Sequence, residues 1–308
     1  MKRTLLIAVI AVMLLTLFSC FPADDEGGAN GGGKITVATT TFAAYDWVRA
    51  VAGDRNVDVT LVGGGADLHS YDPTAEDILT VSQCSLLIHT GGESDSWVTD
   101  VTRTTGSRTI NMIEAIGDNV YHVHSHGAET HTPDEHIWLS FNNAQIIIQQ
   151  ICNALSAFDS SGAAQYDDNR EKYALRISAL DSQYEEAVLQ YKLPSVIVAD
   201  RFAIAYMLRE YGIAWYAAMS GCSADVEVSF NTLTQMAAVA DRLDASYIIV
   251  TENDSVGIAD TVIDSTKSKT CKTVVINTMQ SASTDNDYLD IMTKNLDSLK
   301  LALVEDTE

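Results

Sequence analysis

Histidine is the residue type in this chain whose placement carries chemistry. There are seven, at positions 69, 89, 122, 124, 126, 131 and 136, and five of them crowd into the fifteen residues from His122 to His136. Seven histidines scattered over 308 residues would not gather this way by chance. Neutral imidazole is a preferred ligand for zinc and a good one for other transition ions. A His-rich tract mixed with Asp and Glu binds such ions loosely, so His122, His124, His126 and His131 are read as accessory metal-binding residues. A tight tetrahedral site needs ligands on fixed element ends. His136 qualifies, because it stands just before the apolar Ile137-Trp138-Leu139 where the loop meets a helix. His69 qualifies too, because it follows the Gly63-Gly64-Gly65 loop at the end of a strand. His89 ends a buried-looking strand and reads as a structural, hydrogen-bonding histidine. The missing His-Glu-x-x-His run argues against a zinc hydrolase, and the chain is not read as an enzyme.

The elements that must position these ligands alternate. Ile35 to Thr39, Val57 to Val62 and Ser85 to Ile88 read as short buried strands, with helices over Thr41 to Val51 and Thr74 to Ser82. This rhythm implies parallel pairing and an α/β layer structure. It breaks between Gly117 and Pro133, and a helix follows over Phe141 to Phe158. A longer helix over Tyr166 to Tyr191 carries Tyr173, Ile177, Leu180, Tyr184 and Val188 three to four residues apart, on one face. The strand–helix rhythm resumes at Ser195 to Ala199 and closes with an amphipathic helix from Tyr288. The expected fold is α/β, with two Rossmann-like lobes of parallel sheet joined by one long rigid helix. The boundaries are 35–165 for the first lobe with its His-rich loop at 117–135, 166–192 for the linking helix and 193–308 for the second lobe. Ligands in such folds sit in the crevice beyond the carboxyl ends of the strands.

Lys and Arg number 19 against 42 Asp and Glu, a net charge of −23. Such a chain repels nucleic acid and suits cations. Lys2 and Arg3, then the apolar run from Leu5 to Phe18, read as a secretory signal over residues 1–19. Leu17-Phe18-Ser19-Cys20 resembles a bacterial lipobox, in which Cys20 is lipidated and becomes the mature N-terminus. Residues 20–34 form a Gly-rich acidic tether. The expected location is the extracytoplasmic face of the bacterial cell membrane, held by the lipid on Cys20. Of the other cysteines, Cys84, Cys152, Cys222 and Cys271, none forms a Cys-x-x-Cys pair, which argues against a thiolate zinc site. Cys222 and Cys271 both lie in the C-terminal half, where a disulfide is open to them.

Three runs occur in order: Ala66-Asp67-Leu68-His69-Ser70-Tyr71-Asp72-Pro73-Thr74, Gly91-Gly92-Glu93-Ser94-Asp95-Ser96-Trp97 and Asp134-Glu135-His136-Ile137-Trp138-Leu139-Ser140. With Tyr288-Leu289-Asp290-Ile291-Met292-Thr293-Lys294-Asn295-Leu296, they resemble the metal-binding lipoproteins of zinc and manganese ABC importers, the cluster A-I or cluster 9 solute-binding proteins. The likeness runs from about Ile35 to Leu303. It implies a monomeric two-lobed receptor that captures one divalent ion, Zn2+ or alternatively Mn2+, and delivers it to an ABC permease and its ATPase. The His-rich acidic loop resembles the zinc-type members. Some members are said to adhere, so a metal-binding surface adhesin is the alternative reading. The family's first two histidine ligands carry over onto His69 and His136. The third falls in Ala199-Asp200-Arg201-Phe202-Ala203. Arg201 occupies the ligand position without a gap, and a guanidinium cannot ligate a cation. With a one-residue shift Asp200 takes that position, at the end of a strand. The fourth position falls in Val275-Ile276-Asn277-Thr278-Met279-Gln280-Ser281, where amides are weak zinc ligands, and Glu227 is the second-lobe carboxylate that can replace it.

Overall fold

The computed structural model describes residues 34–105, 107–124, 131–219, 221–222, 228–252 and 257–307. The signal, Cys20 and the tether up to residue 33, together with His126 and Glu227, lie outside the described residues. The first sheet is wholly parallel, in the order β2-β1-β3-β4, with β1 at Ile35–Thr39, β2 at Val57–Leu61, β3 at Leu86–His89 and β4 at Arg108–Asn111. Helix α1 (Phe42–Ala52) connects β1 to β2 and starts where the Thr41 hydroxyl accepts from Ala44 N–H. Helix α2 (Ala75–Gln83) begins with a reciprocal capping box between Thr74 and Asp77, which satisfies backbone donors that a helix start leaves open. Helix α3 (Ser96–Thr105), β4 and α4 (Met112–Ile116) complete this half. A two-stranded antiparallel hairpin then pairs β5 (His122–His124) with β6 (His131–Pro133), His124 opposite His131, so regular pairing flanks the tract expected as an irregular loop. Helix α5 covers Phe141–Phe158.

Helix α6 spans Ala163–Leu189, 27 residues or about 40 Å. Its buried face is Tyr166, Tyr173, Ile177, Leu180, Tyr184, Ala187 and Val188, the stripe expected from helical spacing. The second sheet runs β10-β9-β7, with β8 parallel on the other side of β7 and the short β11 (Val304–Glu305) antiparallel at its start. Here β7 is Pro194–Val198, β8 Ala214–Ala217, β9 Tyr247–Thr251 and β10 Lys272–Ile276. Helices α7 (Ala205–Glu210), α8 (Phe230–Arg242), α9 (Ile258–Ser265) and α10 (Tyr288–Ala302) complete the second half. The α/β fold with two sheets and one long helix is the one expected.

One buried apolar cluster runs through both halves, from Val37 and Trp47 through Tyr184 to Val198 and Ile249. Trp47 and Tyr288 pack edge to face at 5.3 Å. The Tyr184 hydroxyl donates to Met292 O at 2.6 Å, and Tyr173 donates to Asp46 at 3.1 Å. Glu210 of α7 accepts from the Phe141 and Asn142 N–H groups at 3.0 Å each. A carboxylate from the second half therefore closes the positive N-terminus of a first-half helix. Among the described residues no helix is long and apolar enough to cross a membrane.

Candidate metal centre

His69 lies in a single 3-10 turn, Leu68–Ser70, beyond the carboxyl end of β2. Asp67 Oδ1 accepts from His69 N–H at 3.0 Å and holds the turn closed. Ser94 Oγ lies 3.1 Å from His69 Nδ1. Ser94 itself is fixed from below, because its N–H donates to Glu135 Oε1 at 3.0 Å. That approach requires Gly92: a Cβ there would come within 2.3 Å of the Glu135 carboxylate. His136 is buried and precedes the apolar turn Ile137–Leu139. Asp134 Oδ1 accepts from both His136 N–H and His136 Nδ1, each at 2.8 Å.

Asp134 sets the tautomer of His136. A carboxylate only accepts, so it places a hydrogen on Nδ1 and leaves the lone pair of the neutral ring on Nε2. Ser94 Oγ can accept from Nδ1–H of His69, and the second Nε2 is then also a lone pair. The two Nε2 atoms face each other at 3.1 Å. Two ligands of a tetrahedral zinc with Zn–N of about 2.05 Å stand roughly 3.3 Å apart, so the pair is already close to ligating separation. Burial and the neighbouring His136 lower the pKa of His69. Burial also disfavours a charged His136, yet Cys222 and Asp134 outweigh it and push that imidazole well up. A cation between the two Nε2 atoms is what this environment favours, whether a proton or a metal.

Among the described residues one group of potential metal ligands gathers, His69, His136 and Cys222, with ligand atoms all within 4.8 Å of one another. Asp200 is not in it. Its carboxylate is fully buried and accepts from Thr251 N–H at 2.9 Å, Thr251 Oγ1 at 2.7 Å and Arg201 N–H at 2.7 Å. The ends of β7 and β9 are tied together by it. Arg201 reaches back across the crevice to Asp67 Oδ2 at 3.0 Å. In the 275–281 segment, Glu252 accepts from the amides of Thr278 and Gln280, and Thr278 O accepts from Trp138 Nε1 at 2.8 Å. The four described cysteines are free thiols, so Cys222 and Cys271 are not bridged. Sequence reasoning did not single out Ser94, Asp134 or Cys222 for the centre. The Asp-x-His spacing at 134–136 was a usable local signal, whereas nothing local distinguishes Cys222.

The chain is 28% identical over 307 residues to the zinc-binding lipoprotein AdcA of Streptococcus pneumoniae, covering 94% of this chain and 60% of that protein. It thus spans about 60% of the length of that relative. It is 26% identical over 314 residues to the high-affinity zinc uptake system protein ZnuA of Bacillus subtilis, covering 96% of each. The crystal structure of Zn(II)-bound AdcA from Streptococcus pneumoniae superposes with a TM-score of 0.70 at 26% identity, over 88% of this chain and 58% of that one. Residues 37–302 match the family model ZnuA, zinc-uptake complex component A, periplasmic. That span holds most of both sheets, the long helix and the facing histidines, and the chain belongs to this family.

Proposed function

We propose that this protein is the extracytoplasmic receptor of a zinc importer, capturing Zn2+ between its two lobes and delivering it to an ABC permease driven by its ATPase. The observation that carries the reading is the pair of Nε2 atoms at 3.1 Å with both Nδ1 positions engaged. That arrangement binds and releases an ion, and the reading assigns it no catalytic step. The names of AdcA and of the Bacillus ZnuA support zinc as the cargo. So does the chemistry: imidazole ligands suit zinc, and zinc stands above manganese in the usual affinity order.

Residues 1–19 are proposed to be removed, with Cys20 lipidated and residues 20–34 linking the anchor to a folded body of two lobes, 35–165 and 193–308, on either side of a linking helix at 166–192. The reading is tested by the metal content of protein purified without chelator, followed by competition between Zn(II) and Mn(II). One equivalent of zinc that manganese does not displace is expected. Equal or tighter manganese binding overturns it.

A further inference from the structure

We infer that Cys222 supplies a thiolate as the third protein ligand, making the centre a His2Cys site; this rests on the zinc-receptor reading and deepens it. In the second half, the crevice end of β7 holds Ala199-Asp200-Arg201. Asp200 is engaged by Thr251 and Arg201 N–H, and the Arg201 guanidinium is engaged by Asp67. Among the described residues, Cys222 is the second-half side chain that gathers with the two histidines. Its sulfur lies within 4.8 Å of the histidine ligand atoms, and the residue is buried.

The backbone beside Cys222 is pinned where a second-lobe ligand must be. Gly221 O accepts from Phe202 N–H at 3.1 Å, and Ala218 N–H donates to Val198 O at 2.9 Å. Both contacts lie at the carboxyl ends of β7 and β8, the crevice edge of the sheet. The other described cysteines have no such company. Cys271 donates to Ala245 O at 2.9 Å and Cys84 to Val81 O at 3.2 Å. When the ion enters, the thiol S–H breaks, the Zn–S bond forms and the proton leaves to solvent. A thiolate is a soft ligand that suits zinc and disfavours manganese, so Cys222 sets the selectivity of the receptor.

Cobalt(II) bound to the full chain is the test, because a thiolate ligand adds a sulfur-to-cobalt charge-transfer band in the near ultraviolet to the visible ligand-field bands of a tetrahedral site. Both features are expected in the parent and in Cys271→Ala. In Cys222→Ala the charge-transfer band should vanish while ligand-field absorption persists. Lost outer-shell partners weaken metal binding about 10–100-fold, so losing a direct ligand should weaken zinc by roughly a hundredfold or more. Ligand-field bands without charge transfer in the parent would overturn the inference and leave the receptor reading standing. A band that survives Cys222→Ala would also overturn it. Absence of any tight cobalt or zinc binding by the parent would remove the receptor reading itself. Should Cys222→Ala fail to fold, the parent spectrum with the Cys271→Ala control still decides.

Discussion

Asp67 joins two tasks in one carboxylate: Oδ1 caps the turn that presents His69, and Oδ2 pairs with Arg201 of the opposite lobe at 3.0 Å. The ligand turn is thereby tied to the second sheet. Asp67→Asn keeps the cap acceptor but loses the charge. Zinc affinity should fall about tenfold, the scale of outer-shell partners. The stability of the zinc-free protein should drop by no more than about 1 kcal/mol, since the pair is partly solvated. Chelator competition and thermal melts read the two effects separately.

Asp134 holds His136 in its ligating tautomer, and Ser94 orients His69 through Nδ1. Asp134→Ala should cost about 10–100-fold in zinc affinity, and Ser94→Ala less, because a hydroxyl is a weaker partner than a carboxylate. Asp134→Asn retains the acceptor and should fall between the parent and Asp134→Ala. Titration against a chromophoric chelator orders the three, and a parent-like Asp134→Ala would refute the orienting role.

Asp200→Ala should affect the fold more than the metal. It strips partners from the Thr251 amide and hydroxyl and the Arg201 amide in a fully buried place, a loss of about 3 kcal/mol. Denaturant unfolding of the zinc-free protein should show that drop, while one tight zinc equivalent remains at low temperature. Loss of the tight equivalent from a folded Asp200→Ala variant would instead make Asp200 a ligand.

Proton and zinc compete for the same lone pairs. His136 has a raised pKa in the folded zinc-free protein, so its imidazolium contributes stability that is fully present below about pH 6.5, the unfolded value, and is lost as pH rises through the folded value. Zinc removes that proton. The melting-temperature gap between zinc-bound and zinc-free protein should therefore widen from pH 6 to pH 8. Its narrowing over that window would contradict the shift on His136.

Replacing His122, His124, His126 and His131 together with Gln should remove weak extra zinc equivalents and leave one tight site. Substitution is preferable to deletion, because β6 leads directly into Asp134, whose N–H donates to Tyr121 O at 2.8 Å. Calorimetry showing no tight site in the substituted protein would relocate the centre to the hairpin.

Much of this architecture is written in local patterns. The stripe from Tyr166 to Val188 and the caps at Thr41 and Thr74 announce their helices, and His69 and His136 stand at element ends as spacing suggests. The less legible parts are those decided by distant partners. Helix α3 carries four threonines among ten residues and little apolar signal. Strand β8 is only four residues long and borders β7. Asp200 follows a strand directly, which suggests a crevice ligand, yet Thr251, 51 residues away, draws its carboxylate inward. Cys222 offers the opposite case: in the sequence it stands out only as a disulfide candidate with Cys271, until β7 and β8 bring it beside two histidines.

The apolar cluster that runs unbroken from Val37 to Ile249 has a bearing on how the ion leaves. Swinging the halves apart would expose Trp138, Phe141 and Tyr288 to water, at about 25 cal/mol for every Å2 of apolar surface. A wide clamshell motion is therefore a costly route to release. The cheaper one is local, through the short turn that carries His69, since the turn after His136 buries Ile137, Trp138 and Leu139 in that same cluster. Dissociation would then be slow for the isolated protein and hastened by a docked membrane partner that strains that turn. Residence time, more than the rate of capture, becomes the quantity the transporter has to control.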